Sequence, residues 1–193
     1  MPSRLACLAA LPAICAVAWG AVAPDKPNIV FILADDLGIE CVGAYGGLSY
    51  RTPNLDKLAA GGVRFTHAFT NPLCSPTRAQ VLTGRYPIHN GIKRVLFDFQ
   101  QHREFLDPAR ETSFASLLRQ AGYATAIAGK WQLSFLHERD TIRDFGFDEY
   151  QCWQIFRDGE KTSRYADPTF RQNGKVIGPD LRGRYGPDVN VDF

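Results

Sequence analysis

An α/β fold with a mainly parallel central sheet is predicted by three observations. Apolar, β-branched runs read as buried strands, helical patterns separate them, and chemically suggestive side chains fall at strand C-terminal ends. Residues 24–193 are read as that one domain, preceded by a leader at residues 1–23.

In the leader, Arg4 gives a positive start, Leu5 to Trp19 is almost wholly apolar, and Ala21-Val22-Ala23 is a small-x-small cleavage site. That order is a secretory signal peptide. Pro12 and the small-residue end oppose a membrane anchor, and no later apolar run is long enough to cross a bilayer. The sequence therefore predicts an exported protein, periplasmic or extracellular, with no membrane attachment after cleavage.

Asn28 to Leu33 is a continuous apolar run, the pattern of a strand buried on both faces, and it ends in Ala34-Asp35-Asp36. Thr52 reads as an N-cap with Pro53 at the first helical position; Leu55, Leu58 and Ala59 share a face and Gly61-Gly62 stops the helix. Val63 to Thr66 alternates as a short strand. Ser75 is a second expected N-cap, with Pro76 behind it and a helix running through Leu82 to close at Gly84. A loop is expected near residues 97–110, then a helix over Thr112 to Gln120 ending at Gly122, then a strand over Tyr123 to Ala128 that delivers Gly129-Lys130-Trp131. Residues 157–193 read as irregular loop, and the chain stops at Val191-Asp192-Phe193 with no closing element, so a domain incomplete at its C-terminus is expected.

The 22 basic and 20 acidic residues become 21 and 20 once Arg4 leaves with the signal, and the basic residues are scattered. Such a chain has no electrostatic reason to bind nucleic acid. Cys7 and Cys15 also leave, so Cys41, Cys74 and Cys152 remain, an odd number in an oxidising compartment. One is expected to serve other chemistry. Cys41 and Cys152 either pair or stay as buried free thiols.

Two adjacent carboxylates, Asp35 and Asp36, repel one another at a strand end unless a cation such as Ca²⁺ or Mg²⁺ lies between them; the alternative is a solvated turn. In Cys74-Ser75-Pro76-Thr77-Arg78 a thiol stands at a helix N-terminus, where backbone N–H groups collect anions. Arg78 lies where the helix dipole disfavours a cation, which suits an anionic partner. By itself that pentapeptide would be a structural cysteine beside a surface arginine.

It is not by itself. Cys74-Ser-Pro-Thr-Arg78 followed by Leu82-Thr83-Gly84-Arg85 resembles the first motif of the formylglycine-dependent sulfatases. Asn28 to Asp36 resembles that family's metal-binding first strand, Thr52-Pro53-Asn54-Leu55-Asp56 its next helix, and Gly122 to Trp131 its second motif. The likeness runs in order over about residues 27–150.

The resemblance implies the N-terminal part of a three-layer, alkaline-phosphatase-like fold and hydrolysis of sulfate esters, with carbohydrate esters expected as substrates. It implies oxidation of Cys74 to formylglycine by a separate maturation enzyme. It implies metal ligation by Asp35, Asp36 and the modified Cys74, with Ca²⁺ expected and Mg²⁺ the alternative. Arg78 would hold the formylglycine, and Lys130 would contact both sulfate and nucleophile. The donor chemistry agrees: a thiolate is a soft ligand for Ca²⁺, whereas a hydrated aldehyde offers hard oxygens.

One position departs from the pattern. Sulfatases commonly carry His after the Trp of the second motif, and this chain has Gln132, which hydrogen-bonds but shuttles no proton near neutral pH. Either a subfamily variant or a weakened site results. His67 and His89 flank the first motif and read as core or loop residues, His102 and His137 as surface residues, and Trp131 and Trp153 as buried aromatics. Three ligands cannot fill the six or more places a hard cation takes, and nothing after Lys130 matches the family's later ligands. The competing expectations are a phosphonate or phosphate ester hydrolase of the same superfamily and an inactive fragment.

Overall fold

A computed structural model describes residues 26–96 and 104–193, and the chain divides into two compact units, residues 1–37 and 38–193. The leader and His102 lie outside the described residues, as does most of the expected loop's start.

In the first unit, Asn28 to Leu33 belongs to no strand, and Ile29, Val30, Phe31 and Ile32 are exposed. The expectation of a doubly buried strand is therefore corrected. A strand is defined by its ladder partners, and no described strand pairs with this segment. The chain then bends at Asp35-Asp36, with Asp36 in the left-handed region at φ 56°. Aspartate tolerates that conformation better than most residues.

The second unit opens with two 3₁₀ turns, Ile39–Cys41 and Gly43–Tyr45, and helix α1, Pro53–Gly61. Thr52 precedes α1 as expected, but its hydroxyl makes no cap. It donates to Asp56 Oδ1 at 3.0 Å and accepts from the Gly43 N–H at 2.8 Å, tying α1 to the turn before it. Val63 to Thr66, expected as a strand, carries no strand structure and is exposed. Its alternation meets no partner edge among the described strands.

Helices α2, Cys74–Thr83, α3, Pro87–Asn90, and α4, Phe114–Gln120, follow. In α4, Ser113 is a true N-cap: its oxygen accepts the Ser116 N–H at 2.8 Å, while its hydroxyl donates to Phe145 O. Gly146, at φ 93°, comes so near α4 that a Cβ there would lie 2.5 Å from the Ser116 Cα.

Among the described residues, strands β1, Ala126–Gly129, β2, Glu149–Trp153, β5, Phe170–Gln172, and β6, Lys175–Val176, form a sheet in the order β1-β2-β5-β6. β1 and β2 are parallel with Gly129 opposite Cys152, and the other pairs are antiparallel. The described sheet is thus mixed. Strands β3, Phe156–Arg157, and β4, Glu160–Lys161, form a separate hairpin.

Residues 157–193, expected as irregular loop, hold those strands, a 3₁₀ turn at Pro179–Leu181 and helix α5, Gly186–Asp192. The missed signal was turn chemistry. Asp158-Gly159 and Asn173-Gly174 have positive φ at both positions (54° and 82°, 48° and 88°), the geometry of the tight turns that join twisted strands. Gln151 Nε2 donates to Val189 O at 2.9 Å and so fastens α5 to β2.

The main core joins Ala79 and Leu82 of α2, Ala115 of α4, and Trp131, Leu133, Phe145, Phe147 and Tyr150. Trp131 packs on Phe145 and edge-on to Phe147, with centroids 5.7 and 6.2 Å away. This packing lays α2 against the segment that leaves β1.

Candidate active site

Helix α2 starts at Cys74 itself. Leu73, in extended conformation, is the N-cap, and the Thr77 N–H makes a helical bond to Leu73 O at 3.1 Å. Ser75 is therefore inside the helix, which corrects its expected capping role. Pro76 falls in the first turn, where the N–H it lacks would have no helical acceptor. Gly84 ends the helix in the left-handed region, φ 67°, with its N–H on Gln80 O at 2.8 Å. Thr77 Oγ1 donates to Asn71 O at 2.7 Å, and the Asn71 and Gln80 side chains bond, so the approach to Cys74 is held against its own helix.

Ser75, Ala79 and Leu82 form the buried face of α2. Ser75 is fully buried; its hydroxyl donates to Gln132 O at 3.0 Å and accepts the Leu96 N–H at 3.1 Å. Arg78, three residues on, donates from Nη1 to Lys130 O at 2.6 Å. Residues three apart share a helix side. Two side chains of α2 thus grip two carbonyls of the 130–132 segment. The expectation for Arg78 was an anionic partner, whereas this bond goes to a main-chain carbonyl.

Lys130 follows Gly129 at the C-terminal end of the parallel pair β1 and β2, the usual place for function in an α/β sheet. It is half-buried, as are Cys74 and Arg78. Gly129 turns the chain with φ 110°, and Gln132 turns it again with φ 53°. Beyond Gly129 in the register lies Cys152, fully buried. Burial pushes its thiol well above the usual range, against the opposing effect of the Arg78 charge and with a smaller push from Asp140. Cys41, Cys74 and Cys152 are all free thiols, so the pairing of Cys41 with Cys152 does not form.

The second unit therefore brings the Cys74–Arg78 and Lys130–Gln132 segments together. Asp35, half-buried, and Asp36, exposed, belong to the first unit. Among the described residues, no three His, Cys, Asp or Glu side chains gather as a metal-binding group. The donor types at Asp35, Asp36 and an oxygen-bearing residue 74 nonetheless suit a hard cation in kind. His67 and His89 are exposed, His67 with Nδ1 3.1 Å from Thr66 Oγ1. His137 has its ring beside those of Phe135 and Phe156. Trp131 and Trp153 are buried, as expected. Sequence reasoning missed the Ser75–Leu96–Gln132 bonds and the burial of Cys152 opposite Gly129. Neither has a local signal, because each partner is distant along the chain.

A helix opened by a cysteine, with its arginine bonded to the carbonyl of a strand-end lysine, sets the candidate residues of this α/β chain beside the carboxyl end of the parallel pair β1 and β2. The chain belongs to the sulfatase family, whose model matches residues 27–186. It is 48% identical over 172 residues to steryl-sulfatase of Mus musculus, covering 83% of this chain and 26% of that protein. It is 41% identical over 167 residues to N-acetylgalactosamine-6-sulfatase of Canis lupus familiaris, covering 75% and 32%. The chain thus spans about a third or less of the length of these curated relatives.

Among solved structures, BT4656 in complex with its substrate D-glucosamine-2-N,6-O-disulfate matches with TM-score 0.67 and 33% identity, over 86% of this chain and 30% of that one. Ps i-CgsB in complex with k-i-k-neocarrahexaose matches with TM-score 0.71 and 28% identity, over 85% and 39%.

Proposed function

We propose that this chain carries the nucleophile-bearing part of a sulfuric ester hydrolase, with Cys74 as the precursor of formylglycine and sulfated carbohydrate as the substrate class. The observation that carries this reading is the joining of Cys74–Arg78, at the start of α2, to Lys130 at the end of β1. The sulfated sugars bound by BT4656 and Ps i-CgsB support the carbohydrate class.

Asp35, Asp36 and residue 74 would hold a divalent cation, Ca²⁺ or Mg²⁺, and the shell would take further oxygen donors to reach about six. When present, a hydrated formylglycine with its cation supplies a hydroxyl nucleophile and Lewis-acid stabilisation at sulfur. The chain's own residues do the rest. Arg78 and Lys130 would bring two positive charges to the reacting group at residue 74 and offset charge gathering on the sulfuryl oxygens. The Arg78 bond to Lys130 O ties the start of α2 to the end of β1. Gln132 offers hydrogen bonds without proton transfer. Residues 1–23 act as a signal peptide for the domain at 24–193, so the protein is exported and meets its maturation enzyme on the way.

The test is coexpression with a formylglycine-generating enzyme, followed by peptide mass spectrometry at residue 74. Conversion to the aldehyde is expected, and an unmodified thiol throughout would overturn the assignment. Parallel assays of aryl sulfate and aryl phosphonate with the full-length, converted protein then fix the reaction class. A strong phosphonate preference would replace sulfate ester hydrolysis by phosphonate ester hydrolysis.

A further inference from the structure

Ser75, the residue after Cys74, is fully buried and uses both hydrogen-bonding roles of its hydroxyl. Its donor goes to Gln132 O, and its acceptor takes the Leu96 N–H. The ring closes from the other side, where Gln132 Nε2 donates to Leu96 O at 3.4 Å. That contact fixes how the carboxamide faces: a carbonyl only accepts, so the nitrogen turns toward Leu96 and Oε1 turns away. Oε1 is buried without a hydrogen-bond partner, in a side chain whose residue is only 9% exposed. An isolated buried acceptor is unfavourable, so Gln132 is held here for its nitrogen and its main chain rather than for Oε1.

Three segments meet in this ring: the first turn of α2, the stretch after α3, and the turn leaving β1. Residue 74 is the covalent neighbour of the serine at its centre. We propose that the Ser75 hydroxyl is a positioning residue, which sets the direction of residue 74 by locking the first turn of α2 to the Leu96 and Gln132 peptides. The proposal rests on residue 74 being the reacting residue. The ring acts on α2 two residues from its N-cap, where the helix has made few of its own bonds and frays most readily. Removing Ser75 Oγ releases that turn while the core grip of Ala79 and Leu82 remains.

The test uses the chain expressed without a maturation enzyme, so that Cys74 stays a thiol, and compares it with S75A and Q132M. Iodoacetamide labelling of Cys74 is measured against labelling of Cys152, which is fully buried and reports global opening. Amide hydrogen exchange at Leu96 is followed in the same samples. In S75A, Leu96 exchange is expected to rise about tenfold, the effect of one lost buried hydrogen bond. Cys74 labelling is expected to rise several-fold while Cys152 labelling does not. In Q132M the long Nε2 contact and the unpaired acceptor vanish together. That variant keeps both Ser75 bonds and should show a smaller rise at Cys74 than S75A. If S75A does not fold, Leu96 exchange in S75C, which fills the same space with a weak hydrogen-bonding group, decides the question: unchanged exchange there would overturn the tie. Equal acceleration at Cys74 and Cys152, or an unchanged Leu96 amide, would reduce Ser75 to a packing residue. Because labelling reads the thiol, failure of Cys74 to become formylglycine leaves this result interpretable by itself.

Discussion

At the residue scale, Cys74 and Cys152 carry the same side chain into two environments. Cys74 is half-buried at a helix start, whereas Cys152 is fully buried in β2 and its thiol is pushed upward chiefly by loss of water. Native-state alkylation should therefore modify Cys74 and spare Cys152, and urea should expose both; rapid native labelling of Cys152 would contradict its burial. Replacing Cys74 by alanine should abolish sulfate ester hydrolysis in the full-length, maturation-treated protein, as measured by aryl sulfate turnover. Gln132 has no proton to exchange near neutral pH. Q132H should add a titration to the pH–rate profile near about pH 6.5, the ordinary range of histidine, where the parent shows none from this residue.

Element-scale predictions concern how α4 and β1 are fastened. Ser113 caps α4 and also reaches Phe145 O, so S113A should cost about 1–2 kcal/mol, read as a lowered urea midpoint at unchanged slope. Asp148 accepts from both the Thr125 hydroxyl and the Thr125 N–H at the entry to β1. The hydroxyl bond, then the N–H bond, holds its carboxyl below the ordinary value of 3.8, with a weaker contribution from Arg119. The folded state thus favours the charged form. The resulting stability is present above the unfolded pKa and is lost as pH falls through the folded one. T125V should flatten the acid limb of the thermal stability curve below about pH 4 while leaving its neutral region sloping as before.

The same elements show what local pattern could reveal. Helix α1 was legible because Pro53 opens it and Gly62 closes it, and α4 because its cap and spacing are local. The hairpin turns at Asp158-Gly159 and Asn173-Gly174 were equally local signals that composition masked. The start of α2 was not legible to the residue. Ser75 has the chemistry of a cap, but its hydroxyl is drawn off by Gln132 and Leu96, far away along the chain. In the candidate site, motif spacing singled out Cys74, Arg78 and Lys130, while the carbonyl partner of Arg78 had no local signal.

For the molecule as a whole, Trp131 is the residue through which core packing reaches the site. It is 3% exposed, packs on Phe145 and Phe147, donates from Nε1 to Ser134 Oγ at 3.0 Å, and stands between Lys130 and Gln132. W131A should cost about 3–5 kcal/mol, measured by chemical unfolding. Its loss should also raise Cys74 labelling, since the carbonyls that α2 grips lose their packed support. W131F, which keeps most of the ring, should recover most of that stability.

By itself the sequence determined the α/β class, the helix-start cysteine motif, the strand-end lysine and the family they indicate, because these depend on residue type and short spacing. Only tertiary structure decided that the Ser75 hydroxyl bonds Gln132 and Leu96 and does not cap, that Cys152 is buried opposite Gly129, and that the described sheet is mixed. It also decided that Asn28 to Leu33 joins no described strand. Burial and pairing belong to what a segment meets, and a chain carries no record of its distant partners in its own local pattern.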